Sequence, residues 1–126
     1  MTFSILVVDD ERSVRDLIAV MLECEGYEVH TAENGVEGIE KARALHPDLV
    51  TLDVMMPDLD GWSVSRVLAA DPSTAHIRKV IVSAKPLDEL ERSPDRDLVE
   101  AVLTKPFDFA SFTELIAGLL KAEPAA

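Results

Sequence analysis

With 126 residues the chain has the length of one domain with a single core, and its 48% apolar and 29% charged residues are ordinary for a globular protein. No apolar run approaches the roughly 20 residues of a membrane span and no basic-then-apolar leader opens the chain, so a cytoplasmic protein is expected. A formal charge of −12, with 24 Asp and Glu against 12 Lys and Arg, repels nucleic-acid phosphates and anionic lipid and argues against direct binding of either.

In chain order, Phe3 to Val8 is a short apolar run that ends in Asp9, Asp10 and Glu11. Val14, Leu17, Ile18, Met21 and Leu22 then follow the spacing of one helix face, and Gly26 stops it. Glu28 to Ala32 reads as a strand. Asn34 followed by Glu37 resembles a capping box opening a helix to about Leu45. Leu49 to Asp53 is the next strand, again apolar and again ending in Asp. A turn with Pro57 and Gly61 leads to a helix over Trp62 to Ala70, stopped near Asp71 and Pro72.

Lys79 to Ser83 is the fourth strand and Ala101 to Thr104 the fifth. Between them, Lys85 to Arg96 carries Pro86 and Pro94 with few apolar residues, which predicts a short or irregular fourth helix. Asp108 and Ser111 start a last helix in which Phe112, Leu115, Ile116, Leu119 and Leu120 repeat the amphipathic spacing. Residues 1–121 are expected to form the domain, with 122–126 a tail or the start of a linker. The length leaves no room for a second domain, so the chain reads as a stand-alone unit or one excised from a longer protein. Alternating helices and strands that are apolar throughout predict a doubly wound α/β domain, its five-stranded parallel sheet covered on both faces.

The chemistry-bearing residues all fall just past strand ends. Asp9 and Asp10 follow the first strand, Asp53 ends the third, Ser83 the fourth, and Lys105 follows the fifth. Ligands of such folds sit beyond the carboxyl ends of the strands, and neighbouring strands lie about 4.8 Å apart. Three carboxylates from adjacent strands cannot all stay ionised without compensation. A magnesium ion, which favours a few carboxylates with waters and phosphate oxygens, resolves the conflict. Asp53 is then a nucleophile for phosphoryl transfer, Lys105 a partner for its carboxylate or a phosphoryl oxygen, and Ser83 a small hydroxyl donor. Taken singly, Asp9 is better read as a cap or turn residue, Ser83 as a loop hydroxyl and Lys105 as a solvated charge. Their convergence on one sheet edge is what favours the functional reading.

The segments ILVVDDE at Ile5 to Glu11, LVTLDVMMPDLDG at Leu49 to Gly61, VIVSA at Val80 to Ala84 and LTKPF at Leu103 to Phe107 resemble the receiver domain of bacterial response regulators, the CheY-like family. The resemblance runs from Phe3 to about Leu120 and implies strand order 2-1-3-4-5. It also implies phosphorylation of Asp53, and magnesium on Asp10, Asp53 and the Met55 backbone carbonyl, with Asp9 acting through water or holding the acid cluster. Ser83 and Lys105 become the phosphate-sensing pair, and Pro106 follows a cis bond. Implied phosphodonors are a sensor histidine kinase, a phosphotransfer protein or a small acyl phosphate. The output is a protein target, met on the face of the fourth helix, fifth strand and last helix, or a fused output domain.

Three departures from the family pattern touch the output route. Val102 stands where receivers carry a Tyr or Phe whose ring moves on activation. Leu98, Val99 and Glu100 replace a Gly-Ala-Asp type segment, and Pro86 and Pro94 interrupt the fourth helix. By the same resemblance, Met55 and Lys85 stand where family members tune water access to the acyl phosphate, and their bulk predicts slow hydrolysis.

Other readings fit less well. A flavodoxin-type cofactor site needs a Ser, Thr and Gly loop after the first strand, where Asp9, Asp10 and Glu11 stand. An aspartyl phosphatase, by family resemblance, wants a second Asp where Met55 stands, so no turnover of external substrates is expected. The remaining alternative is a phosphorylation-independent interaction module, although degenerate receivers usually lack one of the residues retained here. His30, His46 and His76 are too scattered for zinc. Trp62 is expected to pack at the third helix, and Cys24, the single cysteine, to be partly buried and inert.

Overall fold

The computed structural model describes residues 2–121; the expected tail lies outside them. Five strands alternate with five helices: β1 (Ser4–Val8), α1 (Arg12–Cys24), β2 (Glu28–Ala32), α2 (Gly35–Leu45), β3 (Leu49–Leu52), α3 (Gly61–Ala70), β4 (Arg78–Ser83), α4 (Leu87–Glu91), β5 (Ala101–Thr104) and α5 (Phe109–Lys121). The strands form one parallel sheet in the order β2-β1-β3-β4-β5. This is the expected doubly wound architecture, with chain reversal between β1 and β3 opening a crevice at the carboxyl edge.

The alternation of side chains along each strand explains why the strands are apolar throughout. Ile5, Val7, Leu49, Val80 and Val82 face one core with Ile18, Met21 and Leu22 of α1 and Phe112, Ile116 and Leu120 of α5. Leu6, Val8, Val50, Leu52 and Ile81 face the other, with Ile39 and Ala42 of α2 and Val64 and Leu68 of α3. Trp62 packs against this second core as expected.

Helix boundaries follow local chemistry. Asn34 accepts from the Glu37 N–H at 2.8 Å, while the Glu37 carboxylate pairs with Lys41 at 3.0 Å, so half of the capping box forms. Gly26 ends α1 at a φ of 90°, a conformation open to glycine without strain. Asp60 caps α3 through Ser63 N–H (2.7 Å), and Asp108 precedes α5, accepting from Ser111 N–H at the same distance.

Two expectations about α1 need correction. Leu17 is 60% exposed, and Cys24 is exposed rather than partly buried. The buried face is centred on Ile18 and Leu22, which leaves Leu17 and, two turns later, Cys24 on its outer side. The fourth helix is short as predicted: α4 has five residues, Leu90 is its buried anchor, and a single 3₁₀ turn (Arg96–Leu98) follows.

Candidate functional site

Val8 pairs with Leu52 across β1 and β3, so the next residue of each strand, Asp9 and Asp53, emerges side by side. The Asp53 N–H still donates to Val8 O at 3.1 Å, which holds the strand tip closed behind its carboxylate. Ligand oxygens of Asp9, Asp10 and Asp53 lie within 4.8 Å of one another. Asp9 and Asp53 are buried, at 2% and 8% exposure, and Asp10 is exposed. With Glu11, Met55, Ala84 and Lys105, Asp10 and Asp53 line a cavity of about 440 Å³.

Lys105 is held between the buried acids. Its Nζ lies 2.9 Å from Asp9 Oδ2 and 3.7 Å from Asp53 Oδ2. The ammonium therefore hydrogen-bonds Asp9 and sits beside Asp53, where the sequence suggested the phosphoacceptor as its partner. The other Asp9 oxygen accepts from Glu11 N–H at 2.9 Å, and Arg15 Nη1 donates to the Asp9 carbonyl at 2.9 Å. Each Asp9 carboxylate oxygen thus accepts one bond, and the residue braces the loop.

Among the described residues the Asp53 carboxylate accepts a single such bond, a 3.3 Å contact from Met55 N–H. Burial raises its carboxyl above the ordinary aspartate range; the Lys105 charge opposes this, Asp9 adds to it, the Met55 N–H opposes it and Asp10 adds to it. A small hard cation suits this donor set: an exposed carboxylate and an under-bonded buried one face the same cavity, and the third acid is already neutralised by Lys105. Among the described residues this is the one cluster of its kind. His30 pairs instead with Glu28, and His46 caps α2.

Ser83 ends β4 at the same edge, fully buried, and pairs with Thr104 of β5. Its carbonyl accepts from Lys105 N–H at 2.7 Å, and its Oγ from Lys85 N–H at 3.3 Å. Met55, 60% exposed, stands at the cavity rim; with Asp10 and Lys85 it also lines a neighbouring depression of about 510 Å³. The Lys85 ammonium reaches Glu89 at 3.5 Å. The Lys105–Pro106 bond is cis.

The sequence reading marked Gly61 as a turn residue but not what it touches at the Asp53 corner, and it gave Asp58 no role. A Cβ on Gly61 would lie 2.5 Å from the Asp53 carbonyl oxygen, so only glycine lets α3 begin against the phosphoacceptor's own backbone. Asp58 accepts from Gly35 and Val36 N–H at 3.0 and 2.9 Å, tying the β3–α3 loop to the start of α2. The turn composition marked this loop; nothing local in the sequence named its partners.

The model of the response regulator receiver domain matches residues 5–117. The chain belongs to that family. This receiver is 35% identical over 116 residues to protein PilH of Pseudomonas aeruginosa, covering 92% of the chain and 96% of PilH. It is 34% identical over 117 residues to the DNA-binding dual master transcriptional regulator RpaA of Synechocystis, covering 93% of the chain but spanning only about half (48%) of RpaA. The crystal structure of response regulator TrrA of Thermotoga maritima, in complex with Mg(2+)-BeF, superposes with a TM-score of 0.85 at 30% identity, covering 94% of this receiver and 99% of TrrA. The receiver thus shares the CheY-like fold of two-component response regulators, whose receiver domains are signalling switches.

Proposed function

We propose that this receiver accepts a phosphoryl group on Asp53 in a magnesium-dependent reaction and signals through protein–protein contacts. The observation that carries the reading is the grouping of three carboxylates within 4.8 Å, with the Lys105 ammonium 2.9 Å from Asp9 and 3.7 Å from Asp53. Asp10, Asp53 and the Met55 carbonyl would hold the ion, with Asp9 acting through water or by bracing the cluster. When bound, the ion offsets negative charge on the carboxylates and the phosphoryl oxygens.

In the transfer, an Asp53 carboxylate oxygen attacks the phosphorus of a phosphohistidine or acyl phosphate. The donor's P–N or P–O bond breaks, its electron pair leaves with the donor, and an acyl phosphate remains on Asp53. Asp53 is the less committed of the two buried acids: it accepts one long bond from Met55 N–H, while Asp9 is bonded by both Lys105 and Glu11 N–H. Lys105, already placed between the acids, can donate to a phosphoryl oxygen, and the Ser83 hydroxyl can donate to another after rotating. Water attack later cleaves the acyl phosphate. Met55 lines the cavity and, with Lys85, the neighbouring depression; their bulk favours slow hydrolysis, so a half-life of only seconds in the purified protein would count against shielding.

The same reading takes residues 1–121 as the receiver, supported by the family match at 5–117. It makes the phosphodonor a sensor histidine kinase or phosphotransfer protein, the output a protein target or fused domain, and the compartment the cytoplasm. Among the described residues no helix is long and apolar enough to cross a membrane. Incubation with magnesium and acetyl phosphate, followed by intact-mass measurement, is the test. One phosphate adduct is expected, abolished by Asp53→Asn and by chelation of the metal. No adduct with any of several donors would favour the phosphorylation-independent module.

A further inference from the structure

The aliphatic Val102 leaves no ring to carry a signal from the site, but a chain of hydroxyl bonds leads from it to α4. Ser83 and Thr104 are directly paired across β4 and β5. The two hydroxyls hold Lys85 from either side of its Cα: its N–H, on the Ala84–Lys85 peptide, donates to Ser83 Oγ at 3.3 Å, and its carbonyl, on the Lys85–Pro86 peptide, accepts from Thr104 Oγ1 at 2.8 Å. Pro86 comes next. It has no N–H and a φ of −58°, and its carbonyl accepts from Glu89 and Leu90 N–H to open α4. Lys85 is therefore the last residue through which strand geometry reaches that helix.

The remaining attachments of the segment are few. Leu90 is its buried anchor, Val99 closes it, and an ion pair between Arg66 and Asp95 holds its far side. Such a segment opens at a lower free energy than the sheet, and so responds to small changes at its base.

The two bonds on Lys85 differ in kind. A serine hydroxyl that turns to donate elsewhere redirects its lone pairs, and the long 3.3 Å contact is the weaker of the two. Thr104 donates to a carbonyl and has no role in the acidic cavity, so its bond persists through such a turn.

We propose that Thr104 is a positioning residue that couples the state of Ser83 to α4. Its hold on the Lys85 carbonyl gives the Lys85–Pro86 peptide a fixed pivot, so that a turn of the Ser83 hydroxyl toward phosphorylated Asp53, which frees the Lys85 N–H on the preceding peptide, turns Pro86 and the start of α4 about that pivot. Without it the Lys85–Pro86 peptide has no pivot, and rotation about Lys85 is lost locally rather than passed to α4. This rests on the phosphoacceptor reading of Asp53.

Hydrogen exchange by mass spectrometry over residues 86–98 tests it, with and without acetyl phosphate and magnesium, in the wild type, Thr104→Val and Thr104→Ser. The adduct is expected in all three. In the wild type, phosphorylation alters exchange of the segment. In Thr104→Val the unphosphorylated segment exchanges roughly fivefold faster, as for one lost hydrogen bond, and phosphorylation no longer changes it. Thr104→Ser restores both behaviours. Thr104→Ala is a second deletion of the hydroxyl, should the valine variant not fold. An adduct on Thr104→Val or Thr104→Ala with wild-type exchange in both states overturns the coupling alone, as does a serine variant that behaves like valine. Absence of the adduct from the wild type removes the phosphoacceptor reading, and the coupling with it.

Discussion

At the β3–α3 corner the chain is tied down at each turn. Gly61 donates to Val54 O at 3.2 Å, Ser65 Oγ returns to Gly61 O at 2.9 Å, and Asp58 bridges to two N–H groups of α2. At the β4–α4 corner the ties are the two hydroxyl bonds on Lys85, a five-residue helix and one buried leucine. Both corners flank the same cavity. The difference teaches that holding the reactive carboxylate and reading out its state place opposite demands on the backbone: a nucleophile needs a fixed position, whereas a responsive segment must have a second arrangement within a few kcal/mol.

The largest test of this contrast is Gly61→Ala. The added methyl meets backbone that cannot yield without moving Asp53, so a loss of about 3 kcal/mol is expected in urea denaturation, together with slowed phosphorylation by acetyl phosphate. A stable, fully active alanine variant would show that the corner is less constrained than its geometry. Leu90→Ala should cost about 2 kcal/mol, the low end for a buried leucine, because the segment can collapse or open by itself. Limited proteolysis should then cut between residues 84 and 99 before the rest of the domain unfolds; a loss above roughly 4 kcal/mol would instead make α4 integral to the core.

Asp53→Asn should stabilise the metal-free protein by on the order of 1 kcal/mol at neutral pH, because a buried ionised group is removed. Folding raises the Asp53 pKa, so the folded state binds its proton more tightly than the unfolded one. The stability Asp53 contributes is full below its unfolded pKa and is lost as pH rises through the folded value. The advantage of the asparagine variant therefore grows from acid toward neutral pH, and added magnesium should shrink or reverse it. Paired thermal melts at several pH values, with and without chelator, read this directly. The smallest effect belongs to Arg66→Ala, which breaks the half-exposed pair with Asp95. It should cost about 0.5 kcal/mol or less, yet raise hydrogen exchange over residues 92–98.

The irregularity of the β4–α4 segment was legible because Pro86 and Pro94 act locally, on their own φ and on the missing N–H. The exposure of Leu17 and Cys24 was not. Helical periodicity gives a stripe but not its centre, and the centre is set by where the sheet and α5 press on α1. The contacts of Asp58, Gly61 and Arg15 escaped for a related reason: each acts on residues of another element, and composition names a turn without naming what it touches.

What the sequence alone determined was the alternation of apolar strands and amphipathic helices, and with it a parallel sheet whose carboxyl edge gathers Asp9, Asp10, Asp53, Ser83 and Lys105. Periodicity and strand ends are local properties, so they survive without coordinates. Only the tertiary structure decided that Lys105 bonds Asp9, 96 residues away, more closely than Asp53, and that Thr104 reaches Lys85. Those outcomes depend on strand register and side-chain geometry at separations of a few tenths of an ångström, which arise only when distant segments are packed together.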